Sequence, residues 1–508
     1  MNLSEIAAAH PDKDAVVLAD GSARVTFAEL DRRSTRLADF FAAQGLSRGD
    51  HIAIVMENRT EFLEVAWAAQ RCGLMYTPVN WHLTAAEAEY VVDDCGARIL
   101  ISGVGAGELA AKTLAGASRV ETAIAVGGPI EGHLDYASIV DGPPPSTTPH
   151  EPIEGYYFFY SSGTTGRPKG IEPTHSFPPF GTGLPLDAMM PAYGVSSSTV
   201  YLCPAPLYHA APLGWSLAMQ RQGATVVLMP AFDARDCLSA IETYSVTHAQ
   251  FVPTMFVRML KLDPEVRSAF DVSSLRLVVH AGAPCPVPVK QQMIEWFGPV
   301  LFEYYSGSEG NGMTAITSPE WLEHPGSVGR AVYGTIHILD DAGNELPAGE
   351  VGTVFFSGTR EFRYLNDPAK TEDARNARGW QTIGDLGHLD TDGYLYLSDR
   401  RSDLILSGGV NVYPQEIESA LVIHPAVADV AVIGVPDDEM GERVHAVIEL
   451  AEGVEPGDAI TDELVAHCRI HLAGFKQPRS MAFVDEVPRT PSGKLLRRRL
   501  REAQPTAH

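Results

Sequence analysis

Helical and strand-forming patterns alternate along the first hundred residues, and this alternation limits the folds that the chain can adopt. Residues 31–44 carry apolar side chains at helical spacing, and the apolar run at residues 51–56 that follows is typical of a buried strand. The alternation continues with a helix at 61–71, a strand at 75–80, a helix from about Thr84 and a strand at 97–102. Such a pattern predicts parallel α/β units with helices packed on a sheet.

The pattern changes twice further along the chain. Residues 326–397 contain short strands separated by Gly, Pro and Asp-Gly turns, which predicts a β-rich segment. After residues 399–403 a new helix–strand unit begins, and its roughly 100 residues are enough for a small domain. Since 508 residues exceed the usual size of one core, we predict an α/β fold in two domains. The N-terminal domain, residues 1–400, combines α/β sheet subdomains with the β-rich subdomain, and a small mobile α+β domain follows at 401–508.

The charge balance excludes some partners. Lys and Arg total 38 against 64 Asp and Glu, a formal charge of -26, which disfavours non-specific binding to nucleic acid or to anionic membranes. The basic residues near the C-terminus are then expected to form a solvated helix. No secretory signal and no apolar run of the ~20 residues needed for a membrane span is visible. The six cysteines are scattered without CxxC spacing, so we expect a soluble cytoplasmic protein with reduced thiols.

Residues 160–170, YSSGTTGRPKG, form the most informative motif. Glycines allow backbone N–H groups to turn inward and hydroxyls add donors, so this loop is suited to wrapping phosphate oxygens. The spacing differs from a Walker loop, because the lysine follows Arg-Pro. The predicted phosphate-binding residues are Ser161, Ser162, Gly163, Thr164, Thr165, Gly166 and Lys169.

This loop resembles that of the acyl-adenylate-forming superfamily, which includes acyl-CoA synthetases, and the resemblance extends from about residue 24 to about residue 500. Residues 304–310, YYSGSEG, are similar to the family's Tyr-Gly-x-Thr-Glu motif, although Ser306 replaces the usual Gly. The resemblance implies that Tyr305 stacks on adenine, Ser308 lies near the α-phosphate and Glu309 binds Mg²⁺. It further implies nucleotide contacts from Tyr304 and from the segment Gly282, Ala283 and Pro284, and a second magnesium ligand in Thr164.

Three later motifs complete the resemblance. Asp385, in GWQTIGDLG, would accept hydrogen bonds from the ribose, and Arg400 would contact the nucleotide, unless it forms an inter-domain ion pair. The family hinge falls near Ser402, where Asp or Lys is more usual, and the loop at Gly408 and Gly409 would shape the pantetheine tunnel. Lys494 matches the catalytic lysine, whose ammonium would bridge the attacking carboxylate and the α-phosphate.

The resemblance implies an ATP-dependent ligase that forms an acyl-AMP and transfers the acyl group to coenzyme A. It also implies Mg²⁺ as a cofactor, and a homodimer is one option for the assembly. The candidate residues of the acid pocket are mostly apolar: Tyr208, His209, Leu213, Trp215, Val252, Met255 and Gly307. They predict a fatty, aryl-aliphatic or polycyclic carboxylic acid, although His209 could equally be a core histidine. Residues 205–219 contain no Asp or Glu, which disfavours an amino acid substrate. The alternatives are transfer to a carrier protein, a non-catalytic nucleotide- or acyl-binding protein, and luciferase-like oxygenation.

Overall fold

The computed structural model describes residues 2–143, 150–161, 168–400, 403–407, 410–437, 440–490 and 493–502, with the backbone alone at residue 400. It has a mixed α/β architecture with a large N-terminal domain and a smaller C-terminal domain, which confirms the predicted fold class. The proposed boundary between residues 400 and 401 stays a prediction. No helix in these ranges has both the length and the apolar character that a membrane span requires.

The α-helices of the described residues are α1 Leu3–Ala9, α2 Phe27–Ala43, α3 Thr60–Arg71, α4 Ala85–Asp94, α5 Gly107–Gly116, α6 Tyr136–Val140, α7 Ala210–Arg221, α8 Ala234–Thr243, α9 Pro253–Leu260, α10 Pro264–Ser268, α11 Val287–Phe297, α12 Ser318–Glu323, α13 Pro368–Asp373, α14 Pro414–Val422, α15 Asp458–His471 and α16 Arg497–Glu502. Short 3₁₀ helices occur at Val104–Ala106, Asp187–Tyr193 and Gly474–Lys476.

The strands of the described residues are β1 Asp14–Leu18, β2 Arg24–Thr26, β3 His51–Val55, β4 Met75–Val79, β5 Ala97–Gly103, β6 Thr122–Val126, β7 Leu134–Asp135, β8 Tyr156–Tyr157, β9 Ile171–Glu172, β10 Val200–Cys203, β11 Thr225–Leu228, β12 His248–Phe251, β13 Leu277–His280, β14 Leu301–Ser306, β15 Met313–Thr317, β16 Arg330–Tyr333, β17 Thr335–Leu339, β18 Gly352–Ser357, β19 Arg363–Tyr364, β20 Asp385–Leu389, β21 Leu395–Arg400, β22 Ile405–Ser407, β23 Val410–Val412, β24 Val427–Asp437, β25 Gly441–Leu450 and β26 Ser480–Val484.

Two large sheets form the body of the N-terminal domain. One has the order β7-β6-β5-β3-β4-β8 with every pair parallel, as the helix–strand alternation predicts. The other has the order β16-β15-β14-β13-β12-β10-β11-β1-β2, parallel from β1 to β14 and antiparallel at both edges. The predicted β-rich segment forms a separate antiparallel sheet of order β17-β18-β20-β21.

The helices start where their sequence signals place them. Thr26 and Glu29 form a capping box at α2, and Thr84 and Glu87 form one at α4, so each first turn has side-chain partners for its free N–H groups. Helix α3 is buried on nearly all its faces. The buried Trp67 on α3 donates from Nε1 to the Gln220 Oε1 at 2.7 Å, which ties α3 to α7.

The small domain is built on the sheet β23-β22-β25-β24, extended by β26 beside β25. Buried side chains of α14 and α15 lie in the same hydrophobic cluster as side chains of β24 and β25. The domain contacts the large domain directly, since the Gln415 N–H donates to the Asp399 Oδ2 at 3.1 Å.

Candidate active site

A cavity of about 2170 Å³ lies where the large sheets, the β-rich sheet and the small domain meet. Its wall includes residues from all the predicted motifs that the structure describes. The predicted residues that line it are Ser161, Lys169, Tyr208, His209, Trp215, Val252, Gly282, Ala283, Pro284, Tyr304, Tyr305, Gly307, Ser308, Glu309, Asp385 and Lys494. Residues separated by more than 300 positions are thus brought to one space.

The two ends of the predicted phosphate loop are joined by hydrogen bonds. The Ser161 N–H donates to the Lys169 carbonyl oxygen at 2.8 Å, and the Lys169 N–H donates to the Ser161 Oγ at 3.1 Å. The Lys169 ammonium donates to the Asp367 Oδ2 at 2.5 Å, a partner that the sequence did not suggest. The predicted residues Ser162, Gly163, Thr164, Thr165 and Gly166 lie outside the described residues, so their roles stay predictions.

Strand β14 places the predicted adenine and ribose contacts beside each other. The Tyr305 hydroxyl donates to the Asp385 Oδ2 at 2.7 Å, so the predicted stacking ring and ribose acceptor touch. The unusual Ser306 is accommodated because its hydroxyl donates to the Gly312 carbonyl oxygen at 2.7 Å. Replacement of the family glycine therefore adds a local hydrogen bond.

Glu309 is oriented by a residue that the sequence analysis missed. The Tyr364 hydroxyl donates to the Glu309 Oε1 at 2.8 Å. A Cβ at position 307 would lie 2.8 Å from the Glu309 Oε2 and 2.9 Å from the Asn311 Oδ1, so this close approach requires Gly307. A carboxylate held in this way offers hard oxygen ligands, which suit Mg²⁺.

A buried charged pair joins helix α11 to strand β14, the strand that carries Tyr305. The Lys290 ammonium donates to the Glu303 Oε2 at 2.5 Å, and both side chains are at most 5% exposed. Burial raises the pKa of Glu303, and the nearby Lys290 opposes that rise. Glu303 on β14 lies opposite His280 on β13. Burial, and to a smaller extent the Lys290 charge, lowers the pKa of the His280 imidazole well below its usual value. Removing either partner would leave an uncompensated buried charge.

Lys494 reaches the cavity from a turn of the small domain. The Thr490 N–H donates to the Lys494 carbonyl oxygen at 2.7 Å, and the Lys494 N–H donates to the Thr490 Oγ1 at 3.1 Å. Gly493 has φ +80°, and a Cβ there would lie 2.5 Å from the Thr254 Oγ1 of the large domain. Only glycine therefore allows this turn to approach so closely.

His209 lies at the N-cap of α7 and faces the same space. Burial, with a smaller contribution from the Lys494 charge, lowers the pKa of His209 to about 3. The imidazole is therefore neutral near pH 7. Its Nε2 and the Tyr208 hydroxyl have no hydrogen-bond partner among the described residues, although both residues line the cavity. This geometry favours a substrate-facing role for His209 over that of a bonded core histidine.

The predicted acid pocket is only partly brought together. Trp215 and Val252 line the cavity, but Leu213 is fully buried and Met255 is 4% exposed, each within a hydrophobic core cluster. Leu213 and Met255 do not line this cavity, and their roles in binding the acid stay predictions. Tyr304 and Tyr305 both line the cavity but pack against different hydrophobic clusters, Tyr304 against the one that contains Trp215. The nucleotide contact of Tyr304 stays a prediction.

The remaining predicted residues belong to the hinge and the small domain. Arg400 ends strand β21, and its side chain lies outside the described part of the structure. Ser402, Gly408 and Gly409 also lie outside the described residues, between strands that the structure does contain. Their roles stay predictions.

Comparison with known proteins shows the family. The family model described as AMP-binding enzyme matches residues 3–363, and that described as AMP-binding enzyme C-terminal domain matches residues 416–494. The fatty acid–acyl-carrier-protein ligase ScoC of Streptomyces coeruleorubidus is 34% identical over 507 residues, covering 97% of this chain and 94% of its own. A feruloyl-CoA synthase of Amycolatopsis sp. is 34% identical over 493 residues, covering 96% and 95%.

A solved structure agrees over nearly the whole length. The anthranilate CoA ligase AuaEII in complex with anthranoyl-AMP superposes with a TM-score of 0.83 at 27% identity. The match covers 99% of this chain and 97% of that one. The resemblance thus extends over nearly the whole chain.

Proposed function

Because the chain belongs to the AMP-binding enzymes of the acyl-adenylate-forming superfamily, we propose that it is an ATP-dependent carboxylate–CoA ligase. In the first half-reaction, the acid's carboxylate attacks the α-phosphorus of ATP, and acyl-AMP and pyrophosphate form. In the second, the thiolate of coenzyme A attacks the acyl carbon, a thioester forms and AMP leaves. The protein supplies no nucleophile, so its contribution is orientation and charge stabilisation.

The observation that carries this proposal is the position of Lys494. A lysine of the small domain lies in the same cavity as Glu309 and the Tyr305–Asp385 pair of the large domain. Two anionic reactants, a carboxylate and a phosphate, repel each other, and a positioned ammonium between them stabilises the charge that develops. A protein that only bound a nucleotide would not need a cation delivered from a second domain.

The other residues bind and orient the substrates. Tyr305 supplies a flat surface for adenine, and Asp385 supplies two acceptor oxygens for vicinal ribose hydroxyls. Lys169 places a second cation at the end of the phosphate loop. Neutral His209 can donate one hydrogen bond to the acid without adding charge. The predicted hinge near Ser402 would let the small domain rotate between the half-reactions, withdrawing Lys494 and bringing Gly408 and Gly409 to the cavity.

The residues present fit a magnesium ion that arrives with ATP. Mg²⁺ is commonly held by one or two carboxylates together with substrate phosphates and water. Glu309 provides one such carboxylate, oriented by Tyr364, and Thr164 is the predicted second ligand. Among the described residues no group of three or more His, Cys, Asp or Glu side chains could hold a metal by itself, which fits this shared mode. The ion would neutralise charge on the phosphates.

The acceptor is the least constrained part of the proposal. The relative ScoC is named for transfer to an acyl carrier protein, whereas the feruloyl-CoA synthase is named for coenzyme A. A carrier protein is therefore the second candidate acceptor. For the acid we propose an apolar or aromatic carboxylate, supported by the cavity residues Tyr157, Leu186, Met189 and Trp215.

The test measures AMP, pyrophosphate and thioester with a panel of fatty and aryl carboxylic acids, each with and without coenzyme A. We expect AMP and thioester to appear in equal amounts for one class of acid. Pyrophosphate without thioester would support a different acceptor, and a purified holo carrier protein would then replace coenzyme A. No pyrophosphate with any acid would contradict the ligase proposal.

A further inference from the structure

The carboxylate of Asp94, the last residue of helix α4, accepts hydrogen bonds from two segments that meet at the predicted phosphate loop. The Tyr160 hydroxyl donates to the Asp94 Oδ2 at 2.7 Å, and the Asn366 side-chain amide donates to the Asp94 Oδ1 at 3.1 Å. Burial raises the pKa of Tyr160, so this hydroxyl keeps its proton and is the donor. One side chain thus joins residues that lie 66 and 272 positions away.

Tyr160 lies at the start of the phosphate loop. It forms an isolated β-bridge with Gly170, which ends the loop. The next residue, Ser161, exchanges two hydrogen bonds with Lys169 across the same base. The bond from Tyr160 to Asp94 therefore fastens the base of the loop to the end of α4.

The second partner, Asn366, precedes the residue that holds the Lys169 ammonium. Asn366 has φ +55°, a left-handed conformation that is uncommon for residues other than glycine. Strained backbone of this kind persists where the surrounding contacts fix it, and it occurs often at ligand sites. The following residue, Asp367, accepts from the Lys169 ammonium at 2.5 Å. Asp94 is therefore connected to the lysine end of the loop as well, through Asn366 and Asp367.

Asp94 itself faces away from the nucleotide. Tyr160 and Lys169 line the active-site cavity, whereas Asp94 and Asn366 line another cavity of about 1060 Å³. Any effect of Asp94 on a bound nucleotide must therefore pass through its two partners. On charge alone, removal of a carboxylate near bound phosphates would strengthen ATP binding, because like charges repel. Loss of a positioning contact would weaken it, so the sign of the change separates the two effects.

The loop is suited to one part of ATP. In the proposed function Tyr305 and Asp385 bind the adenosine, and Lys494 meets the α-phosphate. Lys169, at the end of the loop, is then placed to bind the β- and γ-phosphates, which leave as pyrophosphate. A loop that wraps phosphate oxygens depends on both of its ends being held at the correct separation.

We propose that Asp94 is a positioning residue for acyl-adenylate formation: through Tyr160 and Asn366 it holds both ends of the phosphate loop in the arrangement that binds the β- and γ-phosphates of ATP. The inference rests on the proposed function, since it requires the loop to bind ATP. The sequence analysis did not single out Asp94, because its two partners are distant in the chain.

Calorimetric titration with ATP and with AMP, each in the presence of Mg²⁺, tests the inference without any acid. In Asp94→Ala we expect the ATP affinity to fall about tenfold or more, the scale for losing hydrogen bonds to a charged group. The AMP affinity should be retained, because AMP lacks the β- and γ-phosphates. Asp93→Ala is the matched control: it removes the neighbouring carboxylate of α4, which accepts from the Ser118 N–H at 2.9 Å, and both affinities should persist.

Tyr160→Phe removes one of the two donors and leaves the Asp94 charge in place. We expect the same selective loss of ATP affinity, and this variant keeps the test decisive if Asp94→Ala does not fold. In the double variant the two losses should not add, because both single substitutions remove the same hydrogen bond.

Unchanged or tighter ATP binding in Asp94→Ala, or equal losses of ATP and AMP affinity, would overturn the inference and leave the ligase proposal intact. Additive losses in the double variant would also overturn it. A natural protein that bound no ATP would contradict the ligase proposal and the inference together.

Discussion

Lys261, at the end of helix α9, donates a hydrogen bond from its Nζ to the Ala428 carbonyl oxygen at 2.9 Å. The same ammonium also donates to the carbonyl oxygen of Val427. Lys261 belongs to the large domain, whereas both carbonyl oxygens belong to strand β24 of the small domain. Burial lowers the pKa of Lys261 to about 8, against the attraction of Asp429 and Glu449. This contact joins the two domains in the arrangement that places Lys494 at the cavity.

Replacing Lys261 by Met should weaken that arrangement selectively. The substitution keeps much of the apolar stem and removes the hydrogen-bond donors, each worth about 1.5–3 kcal/mol when charged. We expect slower pyrophosphate release, by about tenfold, with little change in thioester formation from preformed acyl-AMP. Lys112→Met is the control, because Lys112 pairs with Glu108 on an exposed helix surface of the large domain. Equal slowing of both half-reactions would contradict the assignment.

Lys494→Ala should slow the first half-reaction by about 10²–10³-fold, the usual effect of losing one donor that stabilises the transition state. Thioester formation from preformed acyl-AMP should survive, because that step does not bring the carboxylate to the phosphate. Lys476→Ala provides the comparison on the same domain, since Lys476 pairs with Glu416 and does not line the cavity. The role of Lys494 would be wrong if the two half-reactions lost activity together.

Glu309→Gln should raise the magnesium concentration that half-saturates pyrophosphate release. The amide preserves the shape and the acceptor for the Tyr364 hydroxyl but removes the negative charge that attracts a hard cation. Titration of Mg²⁺ at fixed ATP measures the shift, and removal of the metal with a chelator should abolish turnover. Glu361→Gln controls for the general loss of one charge at the cavity, because its side chain is 70% exposed. An identical shift in the two variants would argue against direct coordination.

His51 should make the large domain sensitive to acid. Burial lowers its pKa to about 4 in the folded protein, whereas the unfolded chain binds the proton near pH 6.5. Between these values the unfolded state holds more protons, so the free energy of unfolding falls as pH falls, by at most about 1.4 kcal/mol per pH unit. Thermal melts between pH 7 and 5 should therefore show a smaller loss of Tm in His51→Gln than in the natural protein. The exposed His10→Gln should follow the natural protein.

The alternation of helices and strands and the β-rich segment were predictable because their signals are local. Period-2 and period-3.6 patterns act over neighbouring residues, and capping boxes such as Thr26 with Glu29 mark a helix start within four positions. The aromatic run at residues 156–160 is typical of a strand, but β8 contains only Tyr156 and Tyr157. Beyond it, Tyr160 pairs singly with Gly170 across the base of the phosphate loop.

The partners of the site residues were not predictable in the same way. Tyr364 lies 55 positions from Glu309, and Asp367 lies 198 positions from Lys169, so no local pattern connects them. Strand periodicity, by contrast, is a local signal, and it places Tyr304 and Tyr305 on opposite sides of β14.

Tyr304 and Tyr305 point to opposite sides of strand β14, so the two positions can change independently of each other. Tyr305 reaches Asp385, while Tyr304 packs against the hydrophobic cluster that contains Trp215. A duplicated copy of this protein could therefore change residue 304 and its neighbours while the contact between Tyr305 and Asp385 was inherited unaltered. Backbone pleating alone makes variation on one side of the strand compatible with retention of the other side.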